Sequence, residues 1–156
     1  MSSSNYSHTM QELVLNWKLR LVVSALFSIM GFAVLIATLS GYFMPNFEVI
    51  DQTIVGVAVF IIVIPVYLII ADLPKINEQT IVDLLNESVP RLDYNAQLIL
   101  KNKDELPEQK VKYRRQVEDF FEDKKVYRFL PNRPIHQAVI ILVTSLLLTA
   151  GVYFLL

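Results

Sequence analysis

Three long apolar blocks dominate the pattern of hydrophobic and polar residues along the chain. They run from about Leu19 to Phe43, from about Ile54 to Ala71 and from about Ala138 to Leu156, and nearly all of the charge lies between the second and the third. A helix needs ~20 apolar residues to cross ~30 Å of hydrocarbon, and each block is close to that length. Because the blocks do not alternate as barrel strands do, the pattern predicts three transmembrane helices.

The polar stretch between the second and third blocks has apolar residues at helical spacing and is interrupted by prolines. Asn77 is placed to cap its first helix, with Ile76 and Ile81 as a hydrophobic staple. The apolar sets are Ile81, Leu84, Leu85 and Val89, then Leu92, Ala96, Ile99 and Leu100, and finally Val111, Val117, Phe120 and Phe121. We predict an all-α membrane protein with an N-terminal cytoplasmic segment (1–18), a transmembrane hairpin (19–72), a cytoplasmic helical segment (73–134) and a third transmembrane helix (135–156).

The distribution of Lys and Arg predicts the orientation. Lys18 and Arg20 flank the start of the first block, and every other cation lies between Lys75 and Arg133. The short connection between the first two blocks has none. By the positive-inside rule, the N-terminus and the middle segment are cytoplasmic and the C-terminus is outside. Trp17, beside Lys18, is expected at the membrane interface. The pattern predicts an integral membrane position.

Composition and charge narrow the function classes. The chain is 54% hydrophobic and only 19% charged, which is typical of a membrane protein. It has no Cys and only two His, and no glycine-rich phosphate loop or metal-ligand spacing occurs. We therefore predict no catalytic site, no cofactor and no metal, and hence no enzyme. The net charge of −1 gives no reason to expect nucleic acid as a partner.

Two sets of residues in the middle segment are candidates for binding. The apolar faces could close on each other as a small bundle, on the membrane surface or on a partner, since about 60 residues is a marginal size for an independent fold. The predicted partner-docking residues are Ile81, Leu84, Leu85, Val89, Leu92, Ile99, Phe120 and Phe121. The predicted contacts to lipid head groups are Lys112, Arg114, Arg115, Lys124, Lys125, Arg128 and Arg133. The alternative for these cations is a solvated face, balanced by the interleaved acids between Glu118 and Asp123.

The order of segments resembles a family of bacterial envelope proteins. A membrane hairpin is followed by INEQTIVDLLNESVPRLDYNAQLIL (76–100), by YRRQVEDFF (113–121) and by PNRPIHQAVIILVTSLLLTAGVYFLL (131–156). This order is similar to the N-terminal membrane region of large, poorly characterised proteins whose genes lie near those for MoxR-type AAA ATPases and von Willebrand A-domain (Bat) membrane proteins. The resemblance implies a location in a bacterial inner membrane. Members of that family continue into a long extracytoplasmic region, so the resemblance also implies a shortened relative or a fragment of a longer protein.

These observations lead to a first hypothesis and two rivals. The first is a non-enzymatic membrane subunit or scaffold that docks other membrane or cytoplasmic subunits through its cytoplasmic helices, with a homo-oligomer as a further option. The second is a small pore-forming or membrane-perturbing, holin-like effector, which the three compact spans in a short chain suggest. The third is a membrane enzyme using Asp51, Asp72 or His136. It ranks lowest because no other candidate catalytic residues accompany these three.

Overall fold

A computed structural model describes residues 3–101, 106–122 and 126–155 of the chain. In these ranges the secondary structure is helical, with no strand. The five α-helices are α1 (Ser3–Phe43), α2 (Val49–Ile70), α3 (Glu78–Ser88), α4 (Glu108–Glu122) and α5 (Arg133–Leu155). Short 3₁₀ turns occur at Leu73–Lys75, Pro90–Leu92, Ala96–Leu100 and Val126–Phe129.

Three of the described helices are long and apolar enough to cross a membrane. They are His8–Phe43, Val49–Lys75 and Arg133–Phe154. The prediction of an all-helical chain with three such helices is confirmed. The helix that contains the first apolar block begins well before Leu19, however, because the polar N-terminal residues continue the same helix.

The chain divides into two compact units. The polar unit consists of Met1–Leu19 and Pro74–Pro131, and the apolar unit consists of Arg20–Leu73 and Asn132–Leu156. The N-terminal residues were predicted as a segment of their own, whereas here they share a unit with the middle segment. Helix α1 therefore contributes its first part to one unit and its second part to the other.

The first part of α1 supplies an apolar stripe to the core of the polar unit. Met10, Leu13 and Trp17 follow helical spacing, and each is less than a tenth exposed. Trp17, which we expected at the membrane interface, is thus a core residue of this unit. The other buried hydrophobic residues of the unit are Ile81, Val82, Leu85, Val89, Leu92, Ala96, Leu98, Ile99, Val117, Phe121 and Leu130. The N-terminal stripe adds the apolar surface that a segment of about 60 residues lacks.

Helix α3 begins as its sequence predicts. The side chain of Asn77 accepts a hydrogen bond from the backbone N–H of Thr80 at 3.2 Å, and the Asn77 N–H donates to the Thr80 hydroxyl at 3.4 Å. The helix ends at Ser88, since Pro90 disfavours helical geometry in the residue before it. The Asn86 side chain then accepts the N–H of Ala96 at 3.1 Å, which ties the 3₁₀ turn Ala96–Leu100 to α3.

In the apolar unit, α1 packs against both other spans. A Cβ atom on Gly31 would lie 3.0 Å from the Cα atom of Leu142 in α5. A Cβ atom on Gly56 of α2 would lie 3.2 Å from the Cβ of Ala37. Small residues at these points let the helix backbones approach closely, which is how helices associate in lipid.

Polar contacts at the other end of the apolar unit agree with this arrangement. The Arg20 guanidinium donates to the side-chain oxygen of Asn132 at 2.7 Å, where the two segments of the apolar unit begin. The Tyr67 hydroxyl of α2 donates to the carbonyl oxygen of Leu21 at 3.4 Å. Helices α1 and α5 therefore run parallel, and α2 runs antiparallel to α1.

Most apolar side chains of α2 and α5 point away from the protein. Helix α2 has no buried residue, and Ile61, Ile62, Ile69 and Ile70 are all at least 62% exposed. An apolar surface of this extent is unfavourable in water and marks a membrane or an interface. The exposure therefore supports an integral membrane position.

We predict that the N-terminal stripe stabilises the polar unit. The substitution Leu13→Ala should lower its free energy of unfolding by about 2–5 kcal/mol, because Leu13 is 3% exposed and the change leaves a cavity. Leu15→Ala is the matched control, since Leu15 is 68% exposed on the same helix. Hydrogen exchange of the α3 amides in the full chain measures the difference. Equal protection in the two variants would contradict this role.

We also predict that Gly31 is required for the contact between α1 and α5. Gly31→Ala should destabilise the apolar unit by about 1–3 kcal/mol, because the new methyl meets the Leu142 backbone. Gly151→Ala should be neutral or stabilising, since nothing lies within 4 Å of the added atom and Ala favours helix. Unfolding of the purified protein by titration with a denaturing detergent compares the two.

Candidate interaction surfaces

The structure places most of the predicted docking residues inside the polar unit. Ile81, Leu85, Val89, Leu92, Ile99 and Phe121 are at most 7% exposed, and Leu84 and Phe120 are half-buried. The ring of Phe120 contacts that of Phe121, with centroids 5.8 Å apart, and that of Phe129 at 4.9 Å. These apolar faces cover one another. A partner would therefore reach the six buried residues only if the polar unit partly unfolded.

The basic residues predicted to contact lipid head groups have several environments. Lys112, Arg115 and Arg128 are exposed in the polar unit, and Arg133 is exposed at the start of α5. Lys124 and Lys125 lie outside the described residues. The exposed cations are available to solvent or to head groups, and their binding of lipid stays a prediction.

Arg114 differs from its neighbours because it is buried. Its side chain is 8% exposed and forms an ion pair with Glu118, one helical turn later, at 2.9 Å. The same guanidinium donates a hydrogen bond to the backbone carbonyl of Lys101, directly after the 3₁₀ turn Ala96–Leu100. Its charge is thus used within the polar unit, where it links α4 to the preceding turn, and is not offered to head groups.

Tyr94 is a candidate that the sequence patterns did not single out. Asp93 and Tyr94 both have positive φ angles, of 44° and 58°. This left-handed conformation costs roughly 1–2 kcal/mol in a residue with a bulky side chain. Tyr94 is nevertheless 71% exposed, so burial does not offset the cost. The available signal was the Asp-Tyr-Asn sequence after Pro90, since Asp and Asn favour turns.

The described residues offer no metal centre, because they contain no group of three or more His, Asp or Glu that could hold an ion. The comparisons add no relative: no protein family, curated protein or solved structure matches the chain. The candidate surfaces described here are exposed side chains of the polar unit.

We predict that Arg114 is a structural residue of the polar unit. Arg114→Met leaves the Glu118 carboxylate, only 18% exposed, without its partner. Loss of one partner of a buried pair costs about 3–5 kcal/mol. Arg115→Met, at the exposed neighbouring position, should change the stability by less than about 0.5 kcal/mol. Hydrogen exchange in α4 measures both; a smaller loss for Arg114→Met than for Arg115→Met would contradict the assignment.

Proposed function

We propose that this chain is a non-enzymatic subunit or scaffold of a bacterial inner membrane. The apolar unit anchors it, and the polar unit docks other membrane or cytoplasmic proteins. The polar unit and the N-terminus lie in the cytoplasm, with the C-terminus outside. Lys18, Arg20 and Lys75 support this orientation, because cations near span ends are retained on the cytoplasmic side.

The observation that carries the proposal is the exposed, strained Tyr94. A residue kept in an unfavourable backbone conformation is a reason to look for a function that requires its side chain. Tyrosine is enriched among the residues that dominate protein–protein binding, since its ring buries a large area and its hydroxyl forms hydrogen bonds. The polar unit thus has a folded core and an exposed aromatic residue with no role in that core.

A second feature supports a docking role for the polar unit. Besides Tyr94, it exposes Leu15 at 68% and Leu100 at 39%. Leu15 and Leu100 line one cavity of about 670 Å³ together with polar side chains such as Gln79. Mixed apolar and polar surfaces of this kind resemble the compositions of non-obligate protein interfaces.

We predict that Tyr94→Asn abolishes partner binding without harming the fold. Asn adopts the left-handed conformation more readily than Tyr, so the stability of the polar unit should stay the same or rise by up to about 1 kcal/mol. Tyr113→Gln removes an exposed Tyr from an ordinary helical position and is the matched control. A photo-reactive amino acid at position 94 or 113, in living cells, followed by mass spectrometry of the adducts, measures the contact. We expect one protein adduct at position 94 only.

Dye release from vesicles, measured beside the crosslinking, separates the scaffold from the pore-forming alternative. A scaffold leaves vesicles impermeable to small dyes at high protein load, whereas a holin-like protein releases them. Dye release by the wild-type chain, together with adducts only between its own copies, would move the assignment to a pore former. Equal amounts of adduct at both positions would contradict a specific docking role for Tyr94, because the control position would be contacted as often.

A further inference from the structure

A crevice in the apolar unit lies between α1 and α2, with Tyr153 of α5 beside it. Its volume is about 400 Å³, within the range of roughly 300–1,000 Å³ found for small-molecule sites. The inner part of its wall is apolar and includes Met30 and Val34 of α1 and Val57 and Phe60 of α2. The small residues that bring α1 and α2 together form its floor.

One end of the crevice is polar. Gln52, Thr53 and Tyr153 lie at the end near the connection between α1 and α2. The Thr53 hydroxyl donates to the carbonyl of Val49 at 2.8 Å and is satisfied. Within the described residues, no hydrogen bond engages the Gln52 amide or the Tyr153 hydroxyl. Among the residues that the structure describes, the crevice therefore presents two donors without a hydrogen-bond partner at its mouth. The side-chain amide of Gln52 packs beside Gly41 of α1.

The depth of the crevice corresponds to one leaflet of a bilayer. Along α1 it extends from Met30 to Thr38, which is about 12 Å at ~1.5 Å per residue. A leaflet contributes half of the ~30 Å hydrocarbon core. A helix with its side chains is ~10 Å across and needs on the order of 400 Å³ per turn, so this crevice accommodates a flexible chain better than a partner helix.

The charge at the mouth determines which amphiphile fits. Glu48 is exposed at the start of α2, and Asp51 is half-buried one turn later. No Lys or Arg occurs anywhere from residue 21 to residue 74. Glu48 lies four residues before Gln52, so the two share a face of the helix. Neither carboxylate lines the crevice itself, and that of Asp51 accepts the Glu48 N–H at 3.0 Å. Two carboxylates of the first turn of α2 thus lie next to the polar end of the crevice in the sequence.

We propose that the crevice binds one phospholipid with an ammonium head group, of the phosphatidylethanolamine type. One acyl chain occupies the apolar part between α1 and α2. The Gln52 amide and the Tyr153 hydroxyl donate hydrogen bonds to the phosphate or ester oxygens, and Glu48 and Asp51 attract the ammonium. An anionic lipid such as phosphatidylglycerol lacks the cation and is repelled by the two carboxylates.

The test uses the full chain in bilayers with equal amounts of phosphatidylethanolamine and phosphatidylglycerol. After extraction into mild detergent, native mass spectrometry counts the lipids retained per chain. We expect one phosphatidylethanolamine, favoured by roughly fivefold or more, the size of effect that a single head-group charge contact has near a membrane. Preferential retention of phosphatidylglycerol, or a dimer of the chain without lipid, would overturn the proposal.

Matched variants locate the bound lipid. Val57→Trp fills the crevice from an exposed position of α2, and Val34→Trp fills it from α1. Ile54→Trp is the control, since Ile54 is exposed nearby but does not line the crevice. Both filling variants should reduce retained lipid about tenfold while helix content by circular dichroism stays unchanged. If both filling variants retained as much lipid as the wild-type chain, the proposed site would be wrong.

A second variant tests the head-group contact separately. The Glu48 side chain caps α2, and Glu48→Gln keeps an oxygen for that hydrogen bond while removing the charge. We expect the ratio of phosphatidylethanolamine to phosphatidylglycerol to fall towards one, with the total retained lipid unchanged. An unaltered ratio would show that the carboxylate does not select the lipid.

Discussion

Helix α1 runs without a break from Ser3 to Phe43, and both compact units use part of it as a core element. One continuous helix therefore has two parts whose side chains suit two different surroundings. Its first part has an amphipathic stripe suited to a core beside water, and its second part is apolar with small residues on the sides that meet α2 and α5. Because helix hydrogen bonds are made within the segment, the backbone requires no other partner in either environment.

The two units are stabilised by different forces. In the polar unit, burial of apolar side chains from α1, α3 and α4 removes them from water, which is the main favourable term in folding. In the apolar unit, lipid is as apolar as the side chains, so helix association depends on close contact at positions such as Gly31, Ala37 and Gly56. The addition of one methyl group in the apolar unit therefore changes its stability through the distance between helices rather than through hydrophobicity.

Much of the architecture could be predicted from the sequence, because the signals are local. The three spans follow from the length of the apolar blocks, and the start of α3 follows from Asn77. Met10, Leu13 and Trp17 lie at helical spacing, but we did not predict them as a core stripe, because the residues that complete this core are more than 60 positions away. Periodicity does not carry such information.

The surfaces were harder to predict for the same reason. An apolar helical face is equally consistent with a core and with a docking site, and here the predicted docking faces cover one another. Arg114 stands in a run of charged residues and looks like a surface cation in the sequence. Its burial depends on the carbonyl of Lys101, thirteen residues earlier, which no local pattern indicates. The exposure of Tyr94 likewise follows from a turn geometry that only the folded backbone displays.

The contrast between α1 and α2 has a consequence for how such a chain changes over evolutionary time. Helix α1 contacts neighbours on several sides, whereas α2 has no buried residue and touches α1 mainly through Gly56, Gln52 and Tyr67. The positions of α2 that neither contact α1 nor line the crevice are therefore constrained by little more than apolar character, so relatives of this chain should diverge fastest there. Sequence similarity between them should persist longest in α1 and in the core of the polar unit.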